Sequence, residues 1–162
     1  VSTADTAQEQ FLAQYHASLE VRGLARIRKV QIPISIQRKL PGGRILGRLE
    51  GSPDYDYEGV IRGGRAVCFE AKAIAPNSRR WTLGNVKPHQ RRALTARAQL
   101  GGTAWIMLDW RGSFVVPIET YNHFLELGWK SVLRESLVER CLKVPNGAGW
   151  YEALMCSGEY LK

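Results

Sequence analysis

The stretch that most constrains this chain is Val67-Cys68-Phe69-Glu70-Ala71-Lys72-Ala73-Ile74. Its apolar, β-prone flanks make it a strand. Side chains alternate between the faces of a strand. Glu70 and Lys72 therefore share one face, and Phe69 and Ala71 point to the other. A carboxylate on a strand that reads as buried needs a partner to offset its desolvation. Two partners are open. One is Lys72 itself, in an ion pair on a sheet surface. The other is a divalent cation on Glu70, with Lys72 stabilising charge on a phosphate. The upstream run Asp54-Tyr55-Asp56-Tyr57-Glu58-Gly59 weighs toward the cation. A strand over Tyr57–Arg62, a tight turn at Gly63-Gly64 and a strand over Arg65–Ile74 make a hairpin that brings a second acid beside Glu70.

The rest of the chain arranges itself around that hairpin. Residues 4–22 read as a helix, with Phe11, Leu12, Tyr15 and Leu19 at helical spacing and Gly23 as the stop. Residues 25–30 and 31–37 both alternate as strands, and Pro33 keeps the second from a central position. Arg38-Lys39-Leu40-Pro41-Gly42-Gly43-Arg44 is a basic turn before a return strand over 45–49, so residues 38–52 read as a protruding basic hairpin. Residues 75–85 form a loop with basic and aromatic content. A helix spans about 87–100, with Asn85 as candidate cap and Gly101-Gly102 as its end. Residues 103–110 and 113–118 are apolar strands. Short helices over 119–127, 130–142 and 149–156 complete the chain, separated by Gly128, Pro145-Asn146-Gly147 and Gly149. The expectation is one α+β domain over 1–162, a central mixed β-sheet flanked by helices.

Charge narrows the partners. Lys and Arg number 23 against 15 Asp and Glu, a formal net charge of +8. Such an excess favours a polyanion, nucleic acid before an anionic membrane. No apolar run approaches the roughly 20 residues of a membrane span, and the first residues show no signal-peptide pattern. The three cysteines, Cys68, Cys141 and Cys156, form no CxxC pair, which gives neither a zinc site nor a disulfide framework and fits reduced thiols in a cytoplasm. Cys68 reads as a small core filler.

These features meet in phosphodiester hydrolysis. That reaction needs an activated water, screening of charge at phosphorus and a stabilised leaving oxygen. One or two Mg²⁺ ions held by carboxylates can supply all three. Asp56 and Glu70 could provide two ligands from adjacent strands and the Ala71 carbonyl a third, with Asp54 as a rival to Asp56. Lys72 would orient the water or balance the phosphate. His89 and Gln90, at a helix start, could hold the water or a phosphate.

An acid, a short hairpin and Glu-x-Lys is the pattern of the PD-(D/E)xK nucleases, whose restriction-endonuclease-like fold is thereby expected. Asp56-Tyr57-Glu58-Gly59-Val60, Phe69-Glu70-Ala71-Lys72, Leu83-x-Asn85 and His89-Gln90, in that order, more closely resemble the RecU family of Holliday-junction resolvases. The resemblance covers roughly 9–155. It implies structure-selective cleavage of four-way DNA junctions by a homodimer, with Mg²⁺ or with Mn²⁺ in its place, in the cytoplasm of a bacterial or phage-infected cell. It implies catalytic roles for Asp56, Glu70, Lys72 and Gln90, and for Glu9 as the glutamate of the N-terminal helix. The 38–52 hairpin corresponds to the family's stalk, here a short one. Candidate phosphate contacts are Arg38, Lys39, Arg44 and Arg48 on the hairpin, with Arg79, Arg80, Lys87, His89, Arg91 and Arg92 around the site. Trp81 reads as an anchor of its loop. The alternatives are a restriction- or repair-type nuclease on linear DNA, and a DNA-binding protein without catalysis.

Overall fold

The first helix, α1 (Thr3–Val21), is built as its spacing predicts. Leu12 and Leu19 bury completely, and Gly23 (φ 65) ends it, with the Leu24 amide bonded back to the Leu19 carbonyl at 2.9 Å. This is the left-handed helix stop that favours glycine. Phe11 departs from the predicted stripe. It is 50% exposed and stacks on Tyr15 outside the core. The computed structural model describes residues 3–145 and 148–158, with side chains from Ala7 onward. Asn146 and Gly147, in the predicted break before the last helix, lie outside the described residues.

Six strands form the central sheet in the order β1 (Ala25–Lys29), β4 (Tyr57–Ile61), β5 (Ala66–Ala73), β7 (Thr103–Asp109), β8 (Ser113–Pro117) and β10 (Leu142–Lys143). Strands β5 and β7 run parallel and every other neighbouring pair antiparallel, the mixed sheet expected. The crossover between β5 and β7 carries helix α2 (Pro88–Gln99). Strands β7 and β8 are buried on both faces, so they read as continuous apolar runs.

Each face has its own core. On one, α1 and α5 (Trp150–Ser157) cover Ile27, Val67, Met107 and Val115 and a stack of Tyr57, Phe69 and Trp105, whose successive ring centroids are 4.8 Å apart. Those three rings are direct cross-strand neighbours, so the stack follows from register alone. His16 enters this core and accepts a hydrogen bond from Trp150 Nε1 at 3.1 Å. Burial lowers its pKa to about 4 and keeps it neutral. On the other face, α2, α3 (Ile118–Glu126) and α4 (Arg134–Arg140) cover Cys68, Ile106, Leu108, Phe114 and Val116. Cys68 is fully buried, the core filler expected.

Three short strands escape sequence reading. Strand β6 (Arg80–Thr82) lies inside the predicted loop and pairs with β9 (Ser131–Leu133), which begins what was expected to be helix. The two-residue β10 completes the sheet edge. Asn85 does not cap α2; it closes a 3-10 turn over Leu83–Asn85. The chain enters the helix through extended Lys87, whose amide donates to Gln90 Oε1 at 3.0 Å.

Strands β2 (Ile34–Lys39) and β3 (Ile45–Leu49) form a separate two-stranded ribbon. The predicted hairpin over 38–52 thus begins earlier: residues 34–37 belong to it and not to the central sheet. No other described element packs extensively on it. Ile34, Ile36, Ile45 and Leu49 line one side, and Arg38, Arg48 and Leu46 the other, with a bulge between Ile36 and Arg38. Gly47 keeps the apolar side flat, since a Cβ there would meet Ile34 Cγ2 at 2.5 Å.

Candidate active site

Strand β4 ends its pairing with β5 at Tyr57 opposite Phe69. Beyond that point β5 runs on as Glu70, Ala71 and Lys72, bonded to β7 on one edge only. The edge facing β4 is open, and Asp56 fills it. Its Oδ2 accepts the Ala71 amide at 2.9 Å, while its backbone carbonyl accepts the Val30 amide at 2.8 Å. An extended residue turns its N–H and C=O to the same edge. The Ala71 carbonyl therefore faces the side on which Asp56 lies.

Glu70 points into the α2 face and is 1% exposed. Its Oε1 accepts from Lys72 Nζ at 2.6 Å and from Gln90 Nε2 at 2.6 Å. The other oxygen, Oε2, is buried and has no partner. Burial pushes the Glu70 pKa up to about 7, the neighbouring Asp56 charge adds to the rise, and Lys72 opposes it. A buried acceptor left empty costs about 1–3 kcal/mol, so the arrangement favours anything positive that can reach it.

Gln90 is placed by its own helix. Its side-chain oxygen takes the Lys87 amide at the first turn of α2, which aims its nitrogen at Glu70. His89 turns elsewhere. Its Nε2 lies 3.2 Å from Ser52 Oγ, at the foot of the β2–β3 ribbon. Of the two predicted helix-start residues, Gln90 alone contacts Glu70. Asp54 is exposed, and it is Asp56 that meets β5. Glu9 lies on α1, on the opposite face of the sheet, and pairs with Lys29 Nζ at 2.8 Å. It does not bond to the Asp56–Glu70 pair, although both its charge and that of Asp56 bear on Tyr57.

The basic residues fall into two settings. Arg38, Lys39, Arg44 and Arg48 are all exposed on the ribbon. Arg79, Arg80, Lys87 and Arg92 are exposed around the site, with Arg80 bonded to Ser131 Oγ at 3.2 Å. Arg91 is drawn sideways, its Nε donating to Asn122 Oδ1 at 2.7 Å. Trp81 is fully buried and anchors its loop, as expected. Sequence reasoning missed one network: Arg97 Nη2 donates to Tyr55 Oη at 2.7 Å and pairs with Glu58 at 3.2 Å. This braces the segment that leads into Asp56. The only signal was Arg97 on the face of α2 toward the sheet.

Among the described residues no three His, Cys, Asp or Glu side chains cluster to hold a metal. Asp56, the orphaned Glu70 Oε2 and the Ala71 carbonyl form a two-carboxylate oxygen site. Such a site suits a hard cation that retains several waters. No helix among the described residues is long and apolar enough to cross a membrane.

The family described as RecU, recombination protein U, matches residues 7–150. No curated protein matches the chain in sequence. Among solved structures, Hjc from Archaeoglobus fulgidus, a Holliday junction resolvase from an archaeal hyperthermophile, superposes with a TM-score of 0.52. Sequence identity to it is 14%, over 83% of this chain and 94% of that one. At that identity the likeness is one of fold.

Proposed function

This chain belongs to the RecU family of Holliday-junction resolvases, which are metal-dependent endonucleases, and on that premise we propose that Asp56, Glu70, Lys72 and Gln90 are its catalytic set, acting with Mg²⁺. The observation that carries the proposal is the buried, unpartnered Oε2 of Glu70 beside Asp56. Asp56, Glu70 and the Ala71 carbonyl would hold the Mg²⁺ ion, which would supply Lewis-acid charge at the scissile phosphate and an acidified water. Mn²⁺, with similar oxygen preferences, serves in its place.

The protein residues do the positioning. Gln90 and Lys72 hold Glu70 Oε1, which leaves Oε2 buried without a donor. Lys72 is half-buried and shares its face with Glu70, within reach of a phosphate or of the attacking water. The Ala71 amide fixes the Asp56 carboxylate. Hydrolysis adds water to phosphorus and expels the bridging oxygen as a hydroxyl. A fixed pair of acids with a neighbouring amine orients that in-line attack.

Resolution needs two nicks in opposing strands, and hence two active sites. A homodimer on a four-way junction follows, with the ribbon as the stalk that meets the junction. The ribbon supports this reading. One side exposes Ile34, Ile36, Ile45 and Leu49, an apolar strip of the kind a two-fold interface covers, and the other carries Arg38 and Arg48. Phosphate contacts through Arg38, Lys39, Arg44 and Arg48, and around the site through Arg79, Arg80, Lys87 and Arg92, would position the DNA without reading sequence. Glu9 remains a candidate for a supporting role from the α1 side.

The test compares a synthetic four-way junction with a linear duplex of the same sequence, in Mg²⁺ and in EDTA, for the native chain and Glu70→Ala. Paired symmetric nicks on the junction, lost with EDTA and with Glu70→Ala, are expected. Cutting that survives Glu70→Ala would sink the assignment. Equal cutting of linear duplex would remove junction selectivity and leave a nuclease.

A further inference from the structure

Among the described residues no element outside the ribbon packs extensively on it, and both legs of its foot lead to active-site elements. The first leg leaves β1 through Val30, whose amide bonds the Asp56 carbonyl at 2.8 Å. The second leaves β3 through Glu50, Gly51 and Ser52 and reaches Asp56 four residues later. The legs are clipped together where the Glu50 amide meets the Pro33 carbonyl at 2.8 Å. Gly51 (φ 76) then turns the chain so that Ser52 Oγ lies 3.2 Å from Nε2 of His89, the residue before Gln90. Asp56 thus has one oxygen on the ribbon's first leg and another on the Ala71 amide of the catalytic strand.

We infer that Ser52 and His89 are positioning residues: they fasten the second leg to the first turn of α2, so that a four-way junction held on the ribbon sets the Asp56 carboxylate and the Gln90–Glu70 contact. This rests on the resolvase reading above and adds a determinant of junction selectivity to it. The physical basis is rigidity. A ribbon that moves as one body must carry its feet, and these feet are backbone bonds to Asp56 and a side-chain bond to the neighbour of Gln90. A linear duplex that does not engage the ribbon leaves the pair as it is. A junction that does engage it shifts the population of the arranged site.

Linkage makes the inference measurable without turnover. If the junction arranges the carboxylate pair for a cation, then a cation must tighten junction binding by the same factor. Labelled junction and linear duplex are titrated with the full chain, without divalent cation and with Ca²⁺, which accepts the same oxygen ligands. The proteins are the native chain, Ser52→Ala and Ser52→Thr, each checked for an unchanged melting temperature. The native chain is expected to gain more affinity from Ca²⁺ on the junction than on the duplex. Ser52→Ala should reduce that extra gain about threefold to tenfold, the effect of removing one hydrogen bond. Ser52→Thr should keep it, and all three should bind the junction alike without cation. Full retention of the extra gain in Ser52→Ala, or equal loss in Ser52→Thr, would overturn the inference while leaving the site assignment standing. A native chain that gains nothing from Ca²⁺ on either DNA would overturn the metal reading itself, and the inference with it.

Discussion

Two basic segments leave the sheet near the Asp56–Glu70 pair, and they are held in opposite ways. The segment after β5, residues 74–82, is anchored at many points. The Ile74 amide bonds the Asp109 carbonyl, Trp110 Nε1 bonds the Ser78 carbonyl, and Arg111 bonds the Pro76 carbonyl. Arg134 in turn holds the Trp110 and Arg111 carbonyls, and Trp81 is buried. The ribbon over 34–49 has only its foot and its own ladder. Both segments expose cations, but one presents Arg79 and Arg80 from a fixed surface while the other projects Arg38, Lys39, Arg44 and Arg48 on the ribbon. Charge in the sequence marks where phosphates could be met. Packing shows whether the meeting place can move.

The largest way to break this contrast is at Trp110. Trp110→Ala empties a fully buried site and should cost about 3–5 kcal/mol of stability, read as a large drop in the denaturation midpoint. A loss below about 1 kcal/mol would mean the 74–82 segment is not anchored there. The counterpart on the ribbon is Ile36→Ser, which should change stability by no more than about 0.5 kcal/mol in the monomer, because Ile36 is 55% exposed. A large loss there would show that the ribbon packs on the body after all.

The second test concerns the buried corner. Glu70 is raised to about 7 from an ordinary 4.5. Without metal, the folded state therefore binds the extra proton between those values. The contribution of Glu70 to stability is present below about 4.5 and is lost as pH rises to about 7. Glu70→Gln should flatten this slope in denaturation curves taken across that window. A cation needs the ionised carboxylate, so at subsaturating Mg²⁺ cleavage should fall as pH drops below about 7, by up to about tenfold per unit. A rate independent of pH from 5 to 7 would contradict this.

The smallest effect separates the two basic segments by salt. Neutralising Arg38, Lys39, Arg44 and Arg48 together should reduce the salt slope of junction binding by up to about 0.9 for each phosphate that the ribbon no longer neutralises. The slope for linear duplex should change less. Equal changes on both DNAs would mean that the ribbon serves general binding.

Much of the fixed corner was legible in the sequence. Glu70 and Lys72 on one face, and Asp56 across a tight turn, follow from strand alternation and short-range spacing. The Gln90–Glu70 bond does not, because it joins residues 20 apart; the resemblance gave Gln90 a catalytic role but not this partner. The Ser52–His89 contact was hidden for the same reason, since the two residues are 37 apart. The ribbon was half legible. Alternating Ile32, Ile34 and Ile36 look like a strand with one buried face, and periodicity cannot tell a core face from an uncovered one. Pro33 was the local sign that this strand stands outside the main sheet. Strands β6 and β9 were hidden because a three-residue strand has no period of its own and exists only through a distant partner.

Asp56 and the orphaned oxygen of Glu70 are the proposed ligands of a divalent cation. Calorimetric titration of the native chain and of Glu70→Gln with Mn²⁺, at pH 6.5 in two buffers of different ionisation heat, tests this directly. The native chain should bind with release of a proton, seen as a buffer-dependent heat, because Glu70 is partly protonated at that pH. Glu70→Gln should bind far more weakly and release none. Equal binding by both proteins, or native binding with no proton released, would contradict the account.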